Sequence, residues 1–304
     1  GNRGHGIKLC SNARAVEAHL AKQKVGSSFV VQQYIERPYL IDGQRKFDIR
    51  QFVLCTAPEY AVYMYRDSYV RTCSGIYDAD NPDDLSLHLT NDFVQKTLPT
   101  FGQYEDGNKM SFEQLQQRFD AIPLDDGRIL SFEDEVWPAM RRIISHVFCM
   151  AIPIYRSAPS RGRSFELYGL DFMVTADGKV LLIEINTSPA LFQRGEYLTN
   201  TLPLLIEELF QKAIDPIFPP PASSSPSRQQ QQGNDSEASS SFVPPTPLDR
   251  FEKVDIPPPP HVAAAAAGSP RPAPAKAAAP SPARSPIKVR PVQGNSSPLR
   301  PGGN

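Results

Sequence analysis

The segment FELYGLDFMVTADGKVLLIEINTSPAL, residues 165–191, constrains the fold more than any other part of the chain. Two runs of strand-forming residues flank a single Asp-Gly dipeptide, which is typical of tight β-hairpin loops. A two-residue loop at this dipeptide pairs Ala176 with Lys179, and a four-residue loop gives the same register. In that register Asp171 lies directly opposite Glu184. The segment therefore predicts a hairpin that carries one carboxylate at the same level of each strand.

The polar face of this hairpin also contains an amide. Asn186 lies two residues after Glu184, on the same face and opposite Gly169. The other face is apolar and carries Leu170, Phe172, Val174, Leu181, Ile183 and Ile185. One face should thus pack on a core, while the other holds two carboxylates, an amide and an open position over the glycine. Opposed like charges destabilise a sheet, and oxygen ligands of this kind suit Mg²⁺. A solvated acidic face is the alternative that these residues leave open.

Length, charge and cysteine content narrow the class of protein. The 304 residues suffice for one large or two ordinary domains. A net charge of −1 lacks the basic excess that is typical of nucleic-acid-binding proteins. No apolar run is long enough to cross a bilayer, so we expect neither nucleic acid nor membrane as a partner. The four cysteines are widely separated and form no C-x-x-C pair, which indicates reduced thiols in a cytoplasmic, reducing compartment.

Composition changes abruptly between residues 1–218 and residues 219–304. The first part has the composition of a globular domain. The second is rich in proline, serine and alanine and poor in aromatic residues, so we predict a disordered tail. From residue 256 to residue 304 this tail has six basic residues and no acidic one. The chain begins with Gly1, and its opening GNRGHGIKL is typical of the interior of a longer chain, so we expect that an N-terminal part is missing.

Hydrophobic periodicity within the first part predicts both helices and strands. The predicted helices are Ala13–Lys24, Phe112–Phe119, Glu133–Cys149 and Leu202–Ala213. The predicted strands outside the hairpin are Ser28–Ile35, Lys46–Thr56, Tyr60–Arg66 and Tyr69–Thr72. Strands joined by turns, with helices grouped between them, indicate an α+β fold in which a sheet packs on helices.

The motif RKFDIR places three charges on one face of a strand. Lys46, Asp48 and Arg50 alternate with Phe47 and Ile49, so the charged and apolar side chains point to opposite faces. This pattern is typical of a solvent-facing ladder of ion pairs. A face that binds a nucleotide is the functional alternative, with Lys46 contacting phosphate or base and Asp48 acting as an acceptor.

Three other features have both a structural and a functional interpretation. The glycines around Arg3 in GNRGHGI form either a flexible surface turn or a phosphate-binding loop. Thr90 and Asn91 either cap the helix that follows them or contact a phosphate. Arg71 and Lys109 are either ordinary surface charges or anchors for a substrate carboxylate.

Taken in order, several motifs resemble the tubulin–tyrosine-ligase-like family from residue 1 to about residue 218. They are GNRGHGI, VVQQYIERPYLIDGQRKFDIRQFVL, YRDSYVRT, HLTN, FELYGLDF and LLIEINTSPAL. The resemblance implies an ATP-grasp fold, in which ATP lies between two α+β lobes. It also implies an enzyme that joins an amino acid to a protein carboxylate through an acyl phosphate, with cleavage of ATP to ADP and phosphate.

The resemblance further implies roles for individual residues. Those implied to contact ATP are Arg3 and Gly4 of a phosphate-covering loop, Gln32, Gln33, Tyr34 and Ile35 of an adenine-reading hinge, and Lys46, Asp48, Thr90 and Asn91. Those implied to hold the carboxylate of the incoming amino acid are Arg71 and Lys109. The implied magnesium ligands are Asp171, Glu184 and Asn186, the three residues that the hairpin register already brings together.

The incoming amino acid is implied by two segments in particular. YVRTCSGIYDADNPDDLSLHLTNDFVQK and LIEINTSPAL are most similar to the polyglycylating branch of the family. YRDSYVR and FELYGLDF also resemble the initiating glycylases, which usually carry Cys where this chain has Thr90. Glycine is therefore the expected donor, with glutamate as the alternative and C-terminal tyrosination ranked below it. Two further classes stay open, namely an inactive microtubule-binding relative and an ATP-grasp ligase that acts on small molecules.

The resemblance also implies partners and a location. The acceptor would be tubulin, through its tails on microtubules, or a similar protein, and the other substrate would be free glycine or glutamate. We accordingly expect the protein at the cytoplasmic microtubule cytoskeleton, including cilia or flagella.

Overall fold

The computed structural model describes residues 6–24, 26–158, 162–219 and 249–259, together with the backbone of residues 287–291. The strands are β1 (Lys8–Cys10), β2 (Phe29–Gln33), β3 (Leu40–Ile41), β4 (Arg45–Ala57), β5 (Ala61–Tyr65), β6 (Tyr69–Ile76), β7 (Lys109–Met110), β8 (Ser164–Val174), β9 (Val180–Asn186), β10 (Phe251–Val254) and β11 (Ile287–Pro291). The helices are α1 (Ala13–Leu20), α2 (Asp92–Gln95), α3 (Phe112–Ala121), α4 (Trp137–Ser157) and α5 (Gly195–Ala213). The predicted α+β class is confirmed.

Strand β4 is the centre of an eight-stranded antiparallel sheet. On one side, the first part of β4 pairs with β6 and the last part pairs with β5. On the other side, the first part pairs with β3 and the rest pairs with β8. β9 extends the sheet beyond β8, β7 extends it beyond β6, and β10 extends it beyond β5. A separate three-stranded sheet has the order β1, β11, β2.

The two faces of β4 contact different cores because its side chains alternate. Phe47, Ile49 and Val53 belong to the larger core, which also contains the buried residues of α3 and α4. On the opposite face, Phe52 and Leu54 pack with the buried leucines of α5. The remaining part of this second face carries the charges of RKFDIR, so the sheet has a polar region next to an apolar one.

Two helices extend beyond their predicted limits at a proline. The predicted helices end at Cys149 and begin at Leu202, close to Pro153 and Pro203. Proline disfavours the interior of a helix. In the structure α4 continues through Pro153 to Ser157, and α5 begins seven residues before Leu202 at Gly195. Burial of apolar side chains along both helices therefore outweighs the local preference. Among the helices of the described ranges, none has the length and apolar character needed to cross a bilayer.

The hairpin of β8 and β9 has the predicted pairing of Asp171 with Glu184 and a different turn. The predicted pairing of Ala176 with Lys179 is wrong, because the Thr175 backbone N–H donates to the Lys179 carbonyl oxygen at 2.9 Å and closes a three-residue loop. Gly178, with φ of 79°, occupies the left-handed position that such loops use. A β-bulge between Asp171 and Phe172 then restores the predicted register.

The bulge also changes which side chains of β9 face the core. Val180 and Leu182 pack against the larger core, whereas Leu181, which was predicted to do so, is exposed, and so is Ile185. On β8 the predicted apolar face is confirmed, since Leu170, Phe172 and Val174 are fully buried. The extra residue lies between Leu182 and Glu184, so the alternation is shifted by one position only on the turn side of the bulge, at residues 180–182. Ile185 keeps its predicted pairing with Leu170, and its exposure does not come from the bulge.

Part of the predicted disordered tail belongs to the folded domain. Phe251–Val254 forms β10, which pairs with β5 and buries Phe251 and Val254. Ile287–Pro291 forms β11, between β1 and β2. The prediction of a tail over residues 219–304 is wrong for these two strands, because short segments such as FEKV stand in proline-rich surroundings that dominate the composition. The rest of that range, apart from residues 219 and 249–259, lies beyond the residues that the structure describes.

The four cysteines are free and buried. This agrees with the prediction of reduced thiols. Cys55 and Cys73 lie on β4 and β6, and burial raises the pKa of both thiols, to about 11 and about 12. Both side chains are therefore protonated at neutral pH and behave as small apolar groups of the sheet.

Candidate functional site

Charged side chains, most of them buried, cluster on the face of the sheet that α5 leaves uncovered. Four cationic and four anionic side chains make up this group, which we name the charged cluster: Lys46, Asp48, Arg50, Arg71, Asp92, Lys109, Asp171 and Glu184. All of them lie on β4, β6, β7, β8 and β9 except Asp92, which begins α2. Lys46, Asp48 and Arg50 are at most 8% exposed, so the interpretation of RKFDIR as a solvent-facing ladder is wrong. Charges at this depth persist only when they are paired.

Asp171 is held by two arginine side chains. Arg50 lies directly opposite it on β4, and its Nε donates to Asp171 Oδ1 at 2.5 Å. Arg71 Nη2 lies 2.8 Å from Asp171 Oδ2. Burial opposes ionisation of this carboxyl, but Arg71 and Arg50 outweigh burial and lower its pKa to about 2. Asp171 is therefore a carboxylate at neutral pH.

Arg71 also pairs with Asp48, which lies opposite it on β4. Arg71 Nε and Nη2 donate to the two carboxylate oxygens of Asp48 at 2.7 and 2.5 Å, a bidentate arrangement. The hydroxyl of Thr90 donates to Asp48 Oδ2 at 2.7 Å. Arg71 thus connects Asp48 and Asp171, the residue predicted to contact ATP and the residue predicted to bind magnesium.

Lys109 lies beside Arg71 on β7 and has an acidic partner. Its Nζ donates to Asp92 Oδ1 at 2.5 Å and to the Gly107 carbonyl oxygen at 3.0 Å. Burial lowers the pKa of Lys109, and the nearby Asp92 raises it in part. Arg194, at the start of α5, places its Nε 3.5 Å from the other oxygen of Asp92. Asp92 therefore lies between two cations near the predicted amino-acid site.

The residues present fit a magnesium ion. Glu184 lies opposite Asp171, and Asn186 donates from Nδ2 to Glu184 Oε1 and to the Gly169 carbonyl oxygen, both at 3.3 Å. With Nδ2 committed to these two acceptors, the amide oxygen of Asn186 is the atom that could bind a metal. Within the described residues no group of three or more His, Cys, Asp and Glu side chains is arranged to hold a metal. Two carboxylates and one amide suffice for Mg²⁺ when substrate phosphates supply further oxygens.

The predicted open position over Gly169 is filled. A Cβ built on Gly169 would lie 2.9 Å from the Pro189 Cβ and 3.0 Å from the Arg50 Cδ. Glycine is therefore required at this position of β8, because it leaves room for the Arg50 side chain that extends from β4 to Asp171.

Replacing Gly169 with alanine should weaken the fold through this contact. We expect a loss of about 1–3 kcal/mol in the free energy of unfolding, the usual cost of overpacking a well-filled site. Urea denaturation of Gly169→Ala beside the wild-type protein measures it. A variant as stable as wild type would mean that Pro189 and Arg50 move aside freely.

The residues predicted to contact ATP occupy several places. Lys46 Nζ donates to the hydroxyl of Tyr34 at 2.9 Å, and Tyr34 lies directly after β2. Gln32 and Gln33 pair through β2 with β11, and Ile35 is half-buried after the strand. Asn91 caps α2, since its side chain accepts from the Val94 backbone N–H at 3.1 Å. The capping alternative therefore holds for Asn91. Arg3 and Gly4 lie outside the described residues.

Three residues near the site were missed as functional candidates. Arg50 was placed on the correct face, but its partner Asp171 is far away in the sequence, and only the pairing of β4 with β8 joins them. Asp92 was hidden in a helix-capping segment. His88, the first residue of the motif HLTN, was given no role, although the histidine is 3% exposed and hydrogen-bonded to Tyr34. Its place between two leucines, two residues before the predicted ligand Thr90, was the sequence signal that could have identified it.

Comparison with known proteins identifies a family. The model of the tubulin-tyrosine ligase family matches residues 1–226. Tubulin glycylase 3A of Drosophila melanogaster is 35% identical over 220 residues, which are 70% of this chain and 21% of that protein. Tubulin glycylase 3E of Tetrahymena thermophila is 32% identical over 221 residues, 69% of this chain and 15% of that protein. The human protein named inactive polyglycylase TTLL10 is 32% identical over 234 residues, 70% of this chain and 33% of that protein. The chain thus spans a third or less of the length of these three relatives.

Proposed function

The chain belongs to the tubulin-tyrosine ligase family, and we propose that its protein uses ATP and magnesium to join an amino acid to side-chain carboxylates of tubulin. We propose glycine as the amino acid and residues 1–218 as part of an ATP-grasp catalytic domain, completed by β10. The microtubule cytoskeleton is the proposed location, because the acceptor resides there. The names of two similar proteins, both tubulin glycylases, support the acceptor and the donor.

The charged cluster is the observation that carries this proposal. Transfer of a phosphoryl group needs positioning and charge stabilisation more than covalent help from the protein. The cluster offers four cations on one face of the sheet, next to the facing pair Asp171 and Glu184. Ion pairs join three of the cations, Arg50, Arg71 and Lys109, to carboxylates of the cluster before any ligand arrives, so little reorganisation of these side chains is needed on binding.

Each residue has a proposed task. Asp171, Glu184 and Asn186 would hold the magnesium ion, which would supply positive charge to offset the charge of the ATP phosphates. Lys46 and Asp48 would contact the nucleotide with Thr90 and the hinge backbone at Gln32, Gln33, Tyr34 and Ile35. Arg71 and Lys109 would bind the carboxylate of the incoming amino acid and orient its amine towards the activated acceptor. Arg50 would keep Asp171 ionised and oriented.

Asp92 supports glycine over glutamate as the donor. It already pairs with Lys109 and lies near Arg194. The γ-carboxylate of glutamate would have to compete with Asp92 for these two cations, and the two carboxylates would repel each other at close range. Glycine brings only its α-carboxylate, for which Arg71 and Lys109 are the proposed partners.

Incorporation of labelled amino acids into microtubules tests the proposed function. The full-length protein with ATP and magnesium should transfer glycine, and tyrosine should not be incorporated. Preferential transfer of glutamate would establish the alternative donor. No transfer of any of the three amino acids, by a protein that is folded, would place it with the inactive relatives, a class represented by the similar human protein that is named inactive.

The Asp92→Asn variant should relax the choice of donor. Removing the negative charge while keeping the shape should raise the ratio of glutamate to glycine incorporation about tenfold, the effect of roughly 1.4 kcal/mol. Competition between the two labelled amino acids in one reaction measures the ratio. Asp120→Asn, on the exposed side of α3, is the matched control and should leave it unchanged. An unaltered ratio in Asp92→Asn would remove Asp92 from the account of specificity.

A further inference from the structure

A continuous chain of hydrogen bonds connects Lys46 with the loop that precedes α2. Lys46 Nζ lies 2.9 Å from the Tyr34 hydroxyl oxygen. The same hydroxyl lies 2.7 Å from His88 Nδ1, and His88 Nε2 lies 2.9 Å from the Asn81 carbonyl oxygen. Three parts of the fold therefore meet here, namely the end of β2, the start of β4 and the loop after β6.

The direction of each hydrogen bond follows from the chemistry of its end points. A carbonyl oxygen only accepts, so His88 Nε2 must carry a hydrogen and donate it to Asn81. In a neutral imidazole Nδ1 then has a lone pair, and it accepts the hydrogen of the Tyr34 hydroxyl. The Tyr34 oxygen is left to accept from the ammonium of Lys46. Every donor in the chain has an acceptor in this arrangement.

Protonation of His88 would disrupt this arrangement of donors and acceptors. Nδ1 would become a donor, and the Tyr34 oxygen would then have to accept from both His88 and Lys46. The hydroxyl hydrogen of Tyr34 would have to turn to the neighbouring Tyr77 hydroxyl, and two positive groups would share one oxygen in a buried place. A close pair of buried like charges is costly.

The surroundings of His88 favour the neutral ring. Its side chain is buried, and the rings of Tyr34 and Tyr77 lie edge-on to it, each with a centroid separation of 5.6 Å. Burial lowers the pKa of His88 below its usual 6.5, and Lys46 lowers it further. The hydrogen bond to the Asn81 carbonyl and the charges of Asp84 and Asp78 raise it in part. The charged and titratable groups that face His88 from the surrounding elements are Lys46, Tyr34, Tyr77, Asp78 and Asp84.

Lys46 needs such support because of its environment. The residue is 2% exposed, and its Nζ lies 4.6 Å from the centroid of the Tyr34 ring and 5.5 Å from that of Tyr77. A lysine has a flexible stem with three rotatable donors, so its ammonium is positioned only by its partners. The Tyr34 hydroxyl is a directional partner whose own orientation depends on His88.

We propose that His88 is a positioning residue that acts through Tyr34 to hold the ammonium of Lys46 in place for the phosphates of a nucleotide, and that it does so only while its ring is neutral. This inference rests on the proposed function, because it takes a nucleotide as the ligand of Lys46. Neither His88 nor the side chain of Tyr34 needs to touch the nucleotide.

Nucleotide affinity measured between pH 5.5 and 8 tests this role. Titration of the full-length protein with ATP and magnesium, followed by calorimetry, should show weaker binding as the pH falls below 6.5. His88→Asn keeps an acceptor oxygen near the position of Nδ1 and cannot titrate in this range. It should bind ATP as wild type does at pH 7.5 and should show a smaller loss towards acid pH. Because ATP itself titrates in this range, the ratio of wild-type to His88→Asn affinity at each pH is the quantity to compare.

Two further variants separate positioning from folding. His88→Leu removes the acceptor, and Tyr34→Phe removes only the hydroxyl, so each should weaken ATP binding about tenfold at pH 7.5. The double variant should be no weaker than either single one, since both break the same chain. Thermal unfolding identifies any variant that is not folded, and Tyr34→Phe, the smallest change, then decides the matter.

The outcomes of these measurements are distinct. A folded wild-type protein that binds no nucleotide at any pH would contradict the proposed function itself. Nucleotide binding by wild type with an affinity ratio to His88→Asn that stays constant with pH would overturn the role of His88 while leaving the proposed function intact. Tyr34→Phe with wild-type affinity would overturn it as well.

Discussion

Replacing Asp171 with asparagine is expected to lower the free energy of unfolding by about 3–5 kcal/mol, the usual cost of removing one partner of a buried ion pair. The asparagine keeps the shape of the side chain but removes the charge that Arg50 and Arg71 share. Both guanidinium groups are buried and would lose a carboxylate at 2.5 and 2.8 Å. Urea denaturation at pH 7 measures the loss. The dependence of the unfolding free energy on urea concentration should be the same for the variant and for wild type.

Glu184→Gln is the matched control on the facing strand. Glu184 is half-buried, so its replacement should change the stability by less than about 1 kcal/mol. Under the proposed function this variant should nevertheless lose ligase turnover by at least about 100-fold, since even outer-shell partners of metals are worth 10–100-fold. Asp171→Asn as stable as Glu184→Gln would contradict the central place of Asp171 in the fold. Normal turnover by Glu184→Gln would remove it from the magnesium site.

The destabilisation by Asp171→Asn should depend on pH in one direction. The pKa of Asp171 is lowered to about 2 in the folded protein, whereas an unfolded aspartate has a pKa of about 3.9. Its ionised form therefore stabilises the fold fully above about pH 4, and this contribution is lost as the pH falls towards 2. The difference between wild type and Asp171→Asn should accordingly be constant near neutral pH and shrink in acid.

Ending the chain at residue 248 is expected to unfold the domain or to make it aggregate. This truncation removes β10, and with it the burial of Phe251 and Val254, which contributes roughly 3–6 kcal/mol at about 1.5–3 kcal/mol per side chain. Domains are stable by only about 5–15 kcal/mol. The truncation also exposes the edge of β5, and an open strand edge invites pairing with other chains.

Contacts beyond the sheet should add to this effect. Arg141 of α4 donates to Glu252 at 3.0 Å, and Ser145 donates to the Asp255 carbonyl oxygen at 2.7 Å. A chain that ends at residue 259 keeps all of these contacts and is the matched control. Thermal unfolding and gel filtration of the two truncated chains provide the comparison. Equal melting temperatures and equal monomer fractions would show that β10 contributes little to the domain.

The local features of the site were predictable from the sequence. Alternation in RKFDIR placed Lys46, Asp48 and Arg50 on one face, and the Asp-Gly turn brought Asp171 opposite Glu184. The second prediction succeeded although its turn was wrong, since a three-residue loop and a β-bulge compensate each other. On β8 apolar alternation identified the core face correctly although the loop was wrong, since Leu170, Phe172 and Val174 are all fully buried.

The partners of these residues could not be predicted in the same way. Pairing of Arg50 with Asp171, and of Lys109 with Asp92, depends on strand registers and loop positions that only the folded chain determines. The burial of the charges was missed for the same reason, because an isolated strand does not show what covers it. β10 was missed because it has only four residues, of which Phe251 and Val254 alone favour strands, and it stands in a proline-rich background.

The position of β10 also sets an order of events during protein synthesis. Domains generally fold as units while the chain emerges from the ribosome, yet this sheet remains open at β5 until residues 251–254 have been translated. A premature stop codon between positions 219 and 250 would leave every candidate site residue in place and still yield a protein that lacks β10 and β11. Nonsense mutations in this low-complexity stretch should therefore act through degradation of the product rather than through loss of its chemistry.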